Sequence, residues 1–139
     1  MASALAYEPD ASGAHLVFQM RPGAYNDEAL AEFLDQVHEL LDNRKVTLIW
    51  DGLPSHRSKG MKTWIAAQRH WLVVEPLPAY GHDLNPVEAA WGNLKAKELA
   101  NLCPDTIEEA VTAADDGLCR IGTEANLCLS FLRHTGLKL

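Results

Sequence analysis

The sequence predicts an α/β fold, and three stretches carry that expectation. Two short strand-like runs flank a turn near the N-terminus, and an amphipathic helical pattern follows them. An apolar strand-like run then precedes a second helical pattern and another short strand.

Residues 4–7 and 15–18 read as a β-hairpin, because Asp10-Ala11-Ser12-Gly13 between them are small, turn-forming residues. After Pro22-Gly23, Asn26 is placed to cap a helix in which Leu30, Phe33, Leu34, Val37, Leu40 and Leu41 recur at steps of three and four. Val46-Thr47-Leu48-Ile49-Trp50 is continuous, apolar and partly β-branched, as expected of a strand covered on both faces, and it stops at Asp51-Gly52. A helix is expected around residues 58–69 with Met61, Trp64 and Ile65 inward, then a strand at 71–74. Pro76 and Pro78 open a loop that passes Tyr80, Gly81 and His82 to Asn85, a cap for a helix with Pro86 at its first position. That helix is expected to reach about Asn101. Cys103-Pro104 interrupts, and helices at about 106–120 and 123–133 complete the chain.

A chain of 139 residues, 47% of them hydrophobic, suits one compact domain over residues 1–139. The net charge of -7 argues against a surface that grips nucleic acid everywhere, so any DNA contact must be local. Cys103, Cys119 and Cys128 are odd in number and lack Cys-x-x-Cys spacing, which points to buried free thiols in a reducing compartment. No leader-like N-terminus and no apolar run of membrane-spanning length are seen, so a soluble, cytoplasmic protein with no membrane partner is expected.

Two carboxylates stand where local structure is constrained. Asp51 ends an apolar strand, and the carboxyl ends of strands in open α/β sheets are where ligand groups gather. Acids there commonly hold Mg²⁺ or Mn²⁺. An aspartate before Gly52 is equally ordinary in a turn. Glu88 falls at the third helical position after Asn85, where a capping-box carboxylate reaches back to the cap, and from spacing alone this structural role outweighs a catalytic one.

The longer string Leu77-Pro78-Ala79-Tyr80-Gly81-His82-Asp83-Leu84-Asn85-Pro86-Val87-Glu88-Ala89-Ala90-Trp91, with Leu94-Lys95 after it, changes that balance. It resembles the third-carboxylate motif of mariner-like insertion-sequence transposases of the DDE type. That motif reads Leu-Pro-x-Tyr-x-x-x-Leu-Asn-Pro-x-Glu, with Trp and Lys one and two turns on. Trp50-Asp51-Gly52-Leu53-Pro54-Ser55-His56-Arg57-Ser58 resembles the family's second-carboxylate motif, an acid followed five residues on by His. The 36 residues between Asp51 and Glu88 are close to the family's spacing.

The resemblance implies a ribonuclease H-like, retroviral-integrase-like mixed sheet with flanking helices. It implies metal-dependent DNA strand cleavage and strand transfer in the complete enzyme, with transposon ends and target DNA as partners. Asp51 and Glu88 would be catalytic and metal-binding, holding two Mg²⁺ or Mn²⁺ ions roughly 3.5–4 Å apart. The family's first Asp lies on a strand preceding the hairpin, so the chain is expected to be a partial, N-terminally truncated catalytic domain with the first strand missing. Such a chain would be inactive or weakly active alone, and would take an upstream transposase segment or associate with itself. Asp10 and Glu8 have no spacing that supports either as a substitute ligand.

Lesser candidates keep two readings each. His56 would orient a phosphate or the Asp51 loop, or would help begin the following helix. Lys95, seven residues after Glu88 on the same helix face, would meet a DNA phosphate or be a solvated lysine. Arg57 and Lys59, with Lys62 and Arg69, would guide DNA or form the wet face of a helix. Asn85 is a secondary site candidate beside its capping role, and Trp91 is expected to pack beneath the site. A non-catalytic protein-interaction module derived from a transposase is the alternative function; it needs no metal at Asp51 and Glu88. A self-sufficient metal nuclease would need a further acid.

Overall fold

The computed structural model describes residues 1–78 and 80–137, with the backbone only at His82. The chain forms two compact units, one of Met1–Ala2 and Gln19–His82 and the other of Ser3–Phe18 and Asp83–Leu139. Strands β1 (Ala2–Tyr7) and β2 (Ala14–Gln19) pair as a two-stranded sheet. The connection is far too short for a parallel crossover, so the pair is the expected antiparallel hairpin. Its turn closes by Glu8 N–H donating to the Gly13 carbonyl at 3.0 Å and by Ser12 N–H donating to the Asp10 carboxylate at 2.9 Å. Asp10 thus lies in the turn, as expected.

In the unit containing Gln19–His82, α1 (Asp27–Leu40) starts where Asn26 Oδ1 accepts the Ala29 N–H at 2.9 Å. Its buried stripe is Leu30, Phe33, Leu34 and Val37, each contributing about 1.5–3 kcal/mol on burial. Leu40, expected in that stripe, is 66% exposed. The chain turns away there, with Asp42 and Asn43 both left-handed at φ 56°. Asn residues and Asp residues tolerate this conformation better than other side chains, so the helix ends without glycine.

Strands β3 (Val46–Trp50) and β4 (Leu72–Pro76) pair in parallel from Val46 opposite Leu72 to Trp50 opposite Pro76, joined through α2 (Lys59–Ala67). Pro76 therefore ends a strand instead of breaking one, a position that asks no ladder hydrogen bond of its nitrogen. The strand β3 is not covered on both faces as its composition suggested. Val46, Leu48 and Trp50 are half-buried, but Thr47 and Ile49 face outward, with Ile49 51% exposed. Alternation appears because successive side chains point to opposite faces and only one face is covered here. Met61 of α2 is fully buried, with Trp64 and Ile65 half-buried as expected of its inner side.

The other unit holds α3 (Pro86–Leu94), α4 (Ile107–Thr123) and α5 (Ala125–Thr135). The helix expected to run unbroken to Asn101 changes pitch, with a π-helical turn over Lys95–Leu99. Gly117 of α4 lies so close to Leu94 and Glu98 that a β-carbon there would collide with both. Arg120 spans the change of pitch, donating to Glu98 at 2.7 and 3.2 Å and to Asn93 at 2.7 Å. The core of this unit includes Val17, Ala90, Leu94, Leu118, Ile121, Cys128 and Phe131. Cys128 is the buried thiol expected, but Cys103 and Cys119 are exposed, since both sit outside the apolar stripes of this unit.

Among the described residues the mixed sheet expected is present as two two-stranded pairs, one antiparallel and one parallel. None of the described helices is long and apolar enough to cross a membrane.

Candidate functional site

Asp51 follows β3 directly, at the carboxyl end of a strand in a parallel pair. Beyond β4 the ladder gains one more hydrogen bond, Leu77 N–H to the Trp50 carbonyl at 2.8 Å. This draws Leu77-Pro78, the start of the string that carries Glu88, alongside the Asp51 loop. Asp51, Gly52, Leu53, Pro54, Arg57, Leu77, Pro78 and Gly81 line a cleft of about 300 Å³. The sequence named Asp51 and Arg57 from this group as site residues; Gly52, Leu53 and Pro54 are chain neighbours of Asp51, and parallel pairing of β3 with β4 brings in Leu77 and Pro78.

The Asp51 loop is held by its own side chains. Leu53 N–H donates to Asp51 Oδ1 at 3.2 Å, an Asx-type turn. A short 3₁₀ turn at Ser55–Arg57 returns His56 toward the acid, with Nδ1 2.9 Å from Asp51 Oδ1 and 3.2 Å from the Asp51 carbonyl. The His56 ring stacks on Trp50, centroids 4.2 Å apart and 6° from parallel. Its side chain is 15% exposed and that of Asp51 23%. Asp51 Oδ2 has no hydrogen-bond partner among the described residues.

Glu88 belongs to the other unit, in the first turn of α3. Asn85 caps this helix by accepting the Val87 N–H at 3.2 Å. The reciprocal bond of a capping box, from the Asn85 N–H to the Glu88 side chain, is not made, and the Glu88 carboxylate is exposed without a hydrogen-bond partner among the described residues. Lys95 is exposed where the π turn begins, and Trp91 is half-buried on α3. Ala79, within the motif string, lies outside the described residues.

The basic residues do not form one cluster. Arg57 lines the Asp51 cleft, whereas Lys59 and Lys62 are exposed on the first turns of α2 and do not line it. Arg69 lies just past the other end of α2, a helix of 9 residues and so about 13 Å long, and donates to the Ala66 carbonyl at 2.9 Å. A larger cleft of about 610 Å³ runs beside α1 and is lined by Asp27, Glu28, Glu32, Asp35 and Glu39. Burial and the neighbouring Glu39 push the Asp35 carboxyl up. Such a wall repels phosphate, so size does not mark the site here.

Oxygen donors such as Asp51 Oδ2 and the Glu88 carboxylate fit a hard divalent cation. Among the described residues no three His, Cys, Asp or Glu side chains converge as a metal cage.

Comparison with known proteins agrees with the fold. The catalytic domain of Mos1 mariner transposase aligns with a TM-score of 0.61 at 16% identity, covering 90% of this chain. This chain spans 63% of that domain. The Mos1 catalytic domain with raltegravir and Mn aligns at a TM-score of 0.57 and 14% identity, over 99% of this chain and 82% of the other. The same domain with raltegravir and Mg gives 0.55 and 15%, over 92% and 72%. The fold is therefore ribonuclease H-like, that of a DDE transposase catalytic domain. Comparison with curated protein sequences gives no match. The family model of the DDE superfamily endonucleases matches residues 11–109, most of the chain, and the chain belongs to that family.

Proposed function

We propose that this chain supplies the second and third acids, Asp51 and Glu88, of a DDE transposase catalytic core. In the complete enzyme that core performs metal-dependent DNA strand cleavage and strand transfer. The observation that carries the reading is the Asp51 cleft, where an acid at a strand's carboxyl end shares one opening with Arg57 and the Leu77-Pro78 segment that leads to Glu88. Family membership and the two motifs support it. The absence of a capping-box bond at Glu88 favours a role other than capping for its carboxylate.

Mg²⁺ or Mn²⁺ is the cofactor this reading requires, two ions in the complete enzyme. When bound, such ions activate the attacking oxygen and stabilise the leaving oxygen of an in-line displacement. Asp51 Oδ2 and the Glu88 carboxylate would hold them. Arg57 would hold a DNA phosphate at the cleft, with Lys95 and Lys59 as further phosphate contacts. A third acid would come from an upstream transposase segment or through self-association, and the chain alone would be inactive or weakly active. The setting is cytoplasmic, with the DNA of transposon ends and target as partners.

Mn²⁺ binding, followed by electron paramagnetic resonance, tests this function. Binding should be weak in this chain alone and should fall at least tenfold in Asp51→Asn and in Glu88→Gln. Supplying the upstream segment should raise both affinity and metal-dependent nicking of DNA. Equal Mn²⁺ affinity in all three proteins would sink the reading and favour an interaction module.

A further inference from the structure

We propose that His56 is the positioning residue of Asp51, fixing one carboxylate oxygen so that the other is presented to a divalent cation. The inference rests on the metal-binding reading of Asp51. His56 Nδ1 faces two oxygens of the same residue, the Asp51 Oδ1 at 2.9 Å and the Asp51 carbonyl at 3.2 Å. Both are acceptors, so Nδ1 must carry the hydrogen, whatever the state of the other ring nitrogen. Nδ1 makes its hydrogen bond to the carbonyl, and Leu53 N–H donates to Oδ1 at 3.2 Å. The Leu53 hydrogen bond and the close approach of Nδ1 to the same oxygen hold the plane of the carboxylate and leave Oδ2 as the donor atom.

The imidazole is itself held. It lies 4.2 Å from the Trp50 ring and 6° from parallel to it, and the His56 N–H donates to the Leu53 carbonyl at 3.0 Å. Trp50, Asp51 and His56 thus form a plate, an acid and a clamp within seven residues of one another. A histidine that only started α2 would need none of this, because Ser58 already caps that helix through the Met61 N–H at 2.9 Å. Outer partners that orient metal-binding groups commonly change affinity by roughly 10–100-fold when removed.

Two substitutions separate the clamp from the plate. His56→Phe keeps a ring for Trp50 and removes the donor; His56→Asn keeps a donor near the place of Nδ1 and removes the ring. Mn²⁺ affinity is measured by electron paramagnetic resonance, and thermal melting is measured without metal. The expected result is a loss of about 10–100-fold in His56→Phe at near-native melting temperature, with most of the affinity retained in His56→Asn. Should phenylalanine prevent folding, His56→Ala set against His56→Asn carries the same comparison. Loss in Asp51→Asn with no loss in His56→Phe overturns the proposal alone. Equal weakening in His56→Phe and His56→Asn also overturns it, because the donor would then not be the cause. Affinity unchanged in Asp51→Asn overturns the metal reading and the proposal together.

Discussion

The Asp27 carboxylate, in the first turn of α1, accepts a 2.7 Å hydrogen bond from the hydroxyl of Ser58, the N-cap of α2. An acid from one helix therefore sits at the positive end of another, whose first residue, Lys59, is itself a cation in an unfavourable place. Gly60 is required beside it, because a β-carbon there would collide with the Asp27 carboxylate. Asp27→Ala should cost about 1 kcal/mol by urea unfolding, from the lost bond and dipole interaction. Gly60→Ala should destabilise the native chain but be neutral or stabilising in Asp27→Ala, where alanine's helix preference of roughly 1 kcal/mol over glycine is free to act. Additive effects in the double-mutant cycle would refute this account.

Arg120 holds the Glu98 carboxyl below its usual range, chiefly by hydrogen bonding and then by its charge. A depressed carboxyl contributes stability that is fully present above its unfolded value, near 4.5, and lost as pH falls through the lower folded value. Acid unfolding of wild type should therefore steepen below about pH 4.5, and Glu98→Gln should lose part of that dependence. An unchanged slope in Glu98→Gln would show that Arg120 gains nothing from the charge.

At the alkaline end, Tyr7 contributes. Its hydroxyl donates to the Cys128 carbonyl at 3.1 Å, and burial raises its pKa well above the ordinary value of 10.0. A raised phenol contributes stability fully present below pH 10.0 and lost as pH rises beyond it toward the folded value. Wild type should lose stability above pH 10 more steeply than Tyr7→Phe, measured by circular dichroism during base titration. Parallel titrations would place the loss elsewhere.

Asn85 and Glu88 should separate cleanly. Asn85→Ala removes the cap on Val87 and should cost about 1 kcal/mol of stability. Glu88→Gln removes no bond made by the described residues and should leave the melting temperature within about 2 °C, an effect below roughly 0.5 kcal/mol for a chain of this size. A large loss of stability in Glu88→Ala, whose side chain unlike that of glutamine cannot reach back to the cap, would restore the capping role.

Signals that act over a few residues were legible in the chain. The caps at Asn26 and Asn85, the three-and-four spacing from Leu30 to Val37 and the abrupt end of an apolar strand at Asp51 each depend on near neighbours. The two motifs were legible as well, and with them the family. Leu40 and Ile49 were misread, because composition does not say which face of an element finds a covering layer. Asp27 with Ser58 lies across 31 positions, and Arg120 with Glu98 across 22. No periodicity links such pairs. The cleft beside Asp51 is of the same kind, since Leu77 and Pro78 reach it only through the parallel register of β4 on β3. Local preference set the elements and placed the acids at their ends; long-range pairing, which loop closure alone would oppose, chose their neighbours.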